Sequence, residues 1–191
     1  YRIWGAGRNT AIVRANQRTQ ENVPLYKEGL DLWSVLTKEL DYNLMFNNCG
    51  NLNLMHSEAA MNAARMNVSS AQFQGVESYL IDAKQCKDMV PALNISEDIT
   101  YPIRGAMYHP PGGVVRHDAV VWGFAKGCSK HGVHIHQDTE VTDINVENGK
   151  IVSVETDRGT IATKKVLVSA GGYSAGIISE MLGIRLPVSV L

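Results

Sequence analysis

The chain has 191 residues, 45% hydrophobic and 19% charged, a composition that belongs to a globular protein and argues against disorder. Its formal net charge of -1 gives no electrostatic basis for nucleic acid or an anionic membrane surface, and no apolar run approaches the roughly 18 residues of a membrane span, so neither partner is expected. Three widely separated cysteines, Cys49, Cys86 and Cys128, lack CxxC spacing and read as free thiols in a reducing, cytoplasmic setting, and the six histidines show no metal-ligand pattern.

The opening YRIWGAGRNT starts in mid-pattern, without an initiator Met or a basic stretch leading into an apolar one; an internal piece of a longer protein, with no signal peptide, is expected. Residues 1–20 read as a loop running into a helix. Over 25–40, Leu25, Leu32, Trp33, Leu36 and Leu40 recur at helical spacing. Two short strands, NLMF and NLNLM, follow between Asn43 and Leu54, divided by Cys49-Gly50. A second helix is expected over 57–72, with Ser57 as N-cap and Met61, Ala64 and Val68 facing inward. Over 82–89, Asp82 and Gln85 have capping-box spacing and Pro91 closes the helix.

A strand-like stretch at 104–109 leads into the loop His109-Pro110-Pro111-Gly112-Gly113. A helix then spans about 117–131, with Val121, Phe124, Ala125 and Cys128 on one stripe. VHIHQ reads as a strand with His134 and His136 on one solvated face. EVTDINV, KIVSVET and the stretch after them form a three-stranded antiparallel meander, with tight hairpins at Asn148-Gly149 and Arg158-Gly159. KKVLVSAGGYSAGII reads as strand (Val166-Leu167-Val168), glycine turn and helix from near Ser174; the closing RLPVSVL reads as the beginning of another strand. The fold class is therefore a mixed α/β one, a nucleotide-type half with a meander inserted.

The turn Ala170-Gly171-Gly172 is the first candidate site. Strand ends in α/β sheets carry ligands, missing side chains let a backbone approach a pyrophosphate, and a helix N-terminus favours phosphate charge. The phosphate-binding GxGxxG is absent, since GAGRNT lacks the third glycine and follows no strand.

The order of meander, strand, AGG and helix resembles the D-amino-acid oxidase superfamily of FAD enzymes. The matching pieces are TEVTDI (Thr139–Ile144), Gly149 to Thr156, Ala170-Gly171-Gly172 and Pro187. The resemblance implies that Val141 lies near the adenine of FAD and that Ala170, Gly171 and Gly172 line the cofactor. It implies a flavin-contacting loop region at 1–24, part of a substrate domain built on an antiparallel sheet at 25–110, and part of a Rossmann-like FAD domain with its meander at 111–191, the first FAD strand and a C-terminal segment being absent. Gly7 to Arg14 is similar to the loop that passes the flavin ring, with Asn9 and Thr10 beside the isoalloxazine and Arg14 on the substrate carboxylate. A guanidinium fork suits that role, although Arg14 read alone is better taken as a surface residue capping a helix. Ala11 departs from the pattern, standing where monomeric sarcosine oxidases carry a second Arg; either Arg8 replaces it in part or the substrate site differs.

Gly112-Gly113-Val114-Val115-Arg116-His117-Asp118-Ala119-Val120-Val121-Trp122, with Met89-Val90-Pro91 before it, resembles the β subunits of heterotetrameric sarcosine oxidases. There the His is joined covalently to FMN, which implies that role for His117; read alone, His117 is a solvated or capping residue. Asp118 is a candidate to orient the ring. The implied reaction oxidises sarcosine or a related secondary amino acid to glycine and formaldehyde with FAD and covalent FMN, in company with the other sarcosine oxidase subunits. A single-flavin enzyme of the glycine oxidase or dimethylglycine dehydrogenase kind, and a non-catalytic interaction module, are the alternatives.

Overall fold

The computed structural model describes residues 9–16 and 19–187, which fall into two units, Tyr1–Val133 and His134–Leu191. Arg8 and the strand expected at the end of RLPVSVL lie outside the described residues.

The first unit is organised on an antiparallel sheet in the order β2 (Asn51–Met55), β4 (Gly105–His109), β3 (Tyr79–Asp82). β4 is central because Gly105, Ala106 and Met107 present small or flexible groups that both neighbours can approach; all three are buried. Helix α2 (Glu58–Phe73) places Met61, Ala64, Val68 and Ala71 on one stripe, and the first three pack with Met55 and Met107 into the main core. Its start is fixed by Ser57, whose Oγ accepts from Ala60 N at 3.1 Å. α3 (Ala83–Met89) begins with the expected capping box: Gln85 N donates to Asp82 Oδ1 at 2.7 Å, and Asp82 N to Gln85 Oε1 at 2.9 Å. β3 was not anticipated from the sequence, since its four residues run straight into the α3 cap.

α1 (Val23–Glu39) forms where helical spacing predicts it, but its apolar stripe is not a core face. Leu25 is 74% exposed, and burial concentrates at Val23, which packs with Ala15, Ala71 and Val76 in a second cluster. The expected strand NLMF is instead a turn. Asn43 Oδ1 accepts from Met45 N at 2.9 Å and Met45 takes φ +55°, a local alternative that breaks an extended run.

β1 (Ile12–Val13) pairs antiparallel with β5 (Gly113–Val114), and Asn47 closes on the other side of Val114, its N–H donating at 2.8 Å and its carbonyl accepting at 3.0 Å. This sandwich is why the loop carries a glycine at 113: a Cβ there would run into the Asn47 carbonyl. Gly113→Ala is expected to cost about 1–3 kcal/mol, read as a lower thermal midpoint; an unchanged midpoint would mean that the contact relaxes freely.

α4 (His117–Lys130) matches the expected helix, yet its buried face is Ala119, Gly123 and Gly127 and not the Val121–Phe124 stripe. Small residues four apart let the helix sit close against Leu40, Tyr42 and Leu44, where larger side chains would collide, so Val121 and Phe124 stay exposed.

In the second unit, β6 (Val141–Glu147), β7 (Lys150–Thr156) and β8 (Gly159–Ala162) form the predicted meander. Asn148 and Gly149 both take positive φ, +51° and +74°, as a two-residue hairpin of matching twist requires. Two expected strands are absent from any ladder. VHIHQ is irregular, although the His134 and His136 rings do lie on one side, 6.5 Å apart. Val166-Leu167-Val168 has no neighbouring strand among the described residues, and Leu167 is 91% exposed, so apolarity alone did not make a ladder. α5 (Ser174–Leu182) ends at Gly183, whose φ of +65° closes it in the left-handed region.

Candidate functional site

Residues 9–16 bring the candidate residues of the first unit together. They open with an Asx turn, Asn9 Oδ1 accepting from Ala11 N at 2.8 Å, with Ala11 at φ +55°. Ile12 and Val13 form β1, and the chain runs on through residues 14–16 outside any ladder. Asn9, Ala11 and Val13 line a cavity of about 300 Å³, Thr10 and Asn16 line another of about 620 Å³, and Ile12 and Arg14 border both. Ala15, between Arg14 and Asn16, turns into the core beside Val23 and Ala71. The segment is thus a wall with a different chamber on each side.

The smaller chamber is mainly apolar, with Tyr26, Trp33, Val115 and Val121 in its lining, and His117 belongs to it. His117 Nε2 lies 3.0 Å from Asn9 Oδ1 and 3.1 Å from Asn9 O, a contact across 108 positions of sequence. The Ala11 N–H fixes which end of the Asn9 amide is oxygen, so both partners of Nε2 are acceptors. In the neutral ring, Nε2 is therefore the nitrogen that carries the proton and Nδ1 the one with the lone pair. Asp118 does not orient this ring. It is held by Arg116, at 3.0 Å from Nε and 2.6 Å from Nη2, and that pairing lowers its carboxyl below the usual range. Asn9 takes the orienting position, which adjacent residues on a helix do not share.

The larger chamber is polar. Thr10, Arg14, Asn16, Asn51 and Asn53 line it along with Met107. Asn16 is 3% exposed, and neither its Oδ1 nor its Nδ2 has a hydrogen-bond partner; Asn51 Oδ1 is likewise buried without one. Buried amides left unpaired are costly, so these atoms are the ones a ligand would satisfy. Sequence reasoning missed both, although Asn16 stands two positions after Arg14.

His109, also missed, anchors the wall. Only 1% exposed, it donates through Nδ1 to the Glu77 carbonyl at 2.5 Å and accepts through Nε2 from Ala15 N at 3.2 Å. Burial pushes its pKa down, Arg14 adds to that, and the Glu77 carbonyl opposes it. Protonation would place a donor against the Ala15 N–H. Because the folded value lies below the ordinary ~6.5, the neutral ring contributes stability above about pH 6.5 that is lost as pH falls through the folded value. Thermal midpoints from pH 7.5 to 5 should fall more steeply for the wild type than for His109→Gln, whose amide keeps a donor and an acceptor without titrating; parallel curves would remove His109 from that role.

In the second unit, Ala170, Gly171 and Gly172 are exposed just before α5, and a Cβ at Gly171, with φ +61°, would meet nothing within 4 Å. Ser174 Oγ accepts from Ala170 N at 3.2 Å. An open, bare backbone leading into a helix N-terminus without a side-chain cap fits a phosphate-bearing cofactor. Val141 opens β6, which packs beside α5, and is itself exposed. The aromatic-walled chamber beside His117, at about 300 Å³, is of a size that takes a small planar ligand. Among the described residues no group of metal-ligating side chains forms, the three cysteines are free, and no helix is long and apolar enough to cross a membrane.

The family model described as DAO, FAD dependent oxidoreductase, matches residues 5–191. The chain is 38% identical over 189 residues to a sarcosine oxidase subunit beta from an Arthrobacter species, covering 97% of this chain and 46% of that protein. It is 39% identical over 182 residues to the subunit of that name from Rhodobacter capsulatus, covering 95% and 44%. Among solved structures, the L-proline dehydrogenase of P. horikoshii superposes with a TM-score of 0.84 at 26% identity, over 94% of this chain and 46% of that one. The glycine oxidase of Geobacillus kaustophilus, at 20% identity, shares the fold with a TM-score of 0.83 over 95% and 49%. The chain thus spans less than half the length of each of these proteins.

Proposed function

Because the chain belongs to the DAO family of FAD-dependent oxidoreductases, we propose that it is the flavin- and substrate-facing part of a sarcosine oxidase β subunit. The reaction is oxidation of sarcosine, or a related secondary amino acid, to glycine and formaldehyde, in a cytoplasmic enzyme that includes the other sarcosine oxidase subunits. The observation that carries this reading is the wall itself: Arg14 borders both chambers, with unpaired buried amides on one side and His117 on the other.

In this reading Arg14 holds the substrate carboxylate through its guanidinium fork, in the polar chamber. Asn9 and Thr10 lie along the isoalloxazine of FAD, Ala170, Gly171 and Gly172 line that cofactor, and Val141 lies near its adenine. His117 anchors FMN covalently through a ring nitrogen. When bound, the flavin supplies the two-electron oxidising power, and the residues named supply orientation and exclusion of water.

Acid precipitation of the full-length protein with its partner subunits tests this. One acid-extractable and one acid-stable flavin per complex is the expected result. A single extractable flavin would favour an enzyme of the glycine oxidase or dimethylglycine dehydrogenase kind, and no flavin at all a non-catalytic module.

A further inference from the structure

We propose that Asn16 and Asn51 form the amine-recognising half of the amino-acid site whose carboxylate half is Arg14, so that the chamber selects substrates whose nitrogen carries an N–H. The inference rests on the reading of Arg14 as the carboxylate clamp.

Asn16 borders the chamber two positions from Arg14, and its side chain holds a donor and an acceptor that are both buried and unpaired. Asn51 brings a second unpaired acceptor from β2. An α-amino acid presents the complement of this pattern: a carboxylate that accepts and, two bonds away, an amine that donates. With its carboxylate shared by Arg14 and Asn16 Nδ2, the N–H groups are left for the oxygens of Asn16 and Asn51. A protonated secondary amine has two such hydrogens, matching two acceptors. Neutral amide oxygens satisfy the nitrogen whether it is charged or not, whereas a carboxylate would hold it in the protonated form, whose lone pair is not available for oxidation. The main chain gives Asn16 its aim, because Ala15 is fixed in the core and to His109.

A polar residue kept for a ligand is a burden when the ligand is absent. Asn16→Leu, of similar volume, should therefore leave the thermal midpoint of the ligand-free protein unchanged or higher; a clear fall would mark Asn16 as a structural residue and overturn the proposal.

The direct test is calorimetric titration of the full-length, flavin-loaded protein with pyrrole-2-carboxylate and furan-2-carboxylate, which differ in a ring N–H against a ring oxygen. The wild type should prefer the pyrrole by roughly tenfold. Asn16→Leu should weaken both ligands and bring the ratio near one, and Asn51→Ala, the second variant, should reduce the ratio part of the way. A ratio that stays at the wild-type value in both variants overturns the amine subsite and leaves Arg14 untouched, as does a wild type that does not discriminate. If Arg14→Lys leaves both affinities unchanged, the carboxylate reading fails and this inference with it.

Discussion

Replacing His117 with Ala is expected to remove all acid-stable flavin from the full-length complex and to leave the extractable flavin in place. A covalent bond is present or absent, so this effect is the largest anticipated for any single substitution. In the proposed reading the ring is posed for attachment before any flavin arrives. Its Nε2–H is committed to Asn9, at 3.0 and 3.1 Å, so that in the neutral ring the lone pair falls on Nδ1, in a chamber walled by Tyr26 and Trp33. A neutral imidazole nitrogen is the nucleophile that attachment to a flavin carbon requires. The fold should tolerate the change, since His117 is the first residue of α4 and the helix is held by Ala119, Gly123 and Gly127 further along. Flavin that still co-precipitates with the variant would sink the assignment, and with it the main reason to prefer a two-flavin enzyme. Asn9→Ala is a useful companion, because it removes the side-chain half of the contact and leaves the main-chain oxygen in place; slower attachment with the same end point would show that Asn9 poses the ring and does not itself react.

Arg14→Lys should raise the KM for sarcosine by roughly ten- to a hundredfold, the loss of one charge-assisted contact worth about 1.5–3 kcal/mol. An ammonium keeps the charge but has no fork, so the deficit reports geometry and not electrostatics alone. Folding should be little affected, because the neighbouring Ala15 is held by the core and by His109 regardless of the side chain at 14. An unchanged KM would show that Arg14 is not the clamp and would turn attention to Arg8.

Legibility in the sequence followed the range of the interaction. The caps of α2 and α3 and the Asn148-Gly149 hairpin are settled by residues within four positions of one another, and all three stand as read. The elements read from apolarity alone fared worse. The α4 stripe proved to be the exposed one, because packing there is decided by how closely Leu40 and Leu44 approach Gly123 and Gly127. The run Val166–Val168 had the composition of a buried strand but no ladder partner. Within the candidate site, the resemblance supplied Asn9, Arg14 and His117 as separate names. Only the fold shows that Asn9 touches His117, that His109 pins the segment between them, and that Asn16 and Asn51 are left unsatisfied. Each of those facts joins residues far apart in the chain, or concerns what a buried atom lacks, and no local pattern encodes either.

The placing of Val13 and Asn16 on different chambers bears on how this stretch can change over evolutionary time. A substitution at Val13 reaches the chamber of His117, and one at Asn16 reaches the opposite chamber, so the two can drift independently. A change of length is another matter. Deleting or inserting a single codon between Ile12 and Asn16 shifts the rest of this short segment out of register with the β1–β5 pairing that fixes its start. Asn16 would be carried away from the polar chamber, and Ala15 would leave the core. Diversity in residue type combined with strict invariance in length is the record such a wall should leave among its descendants.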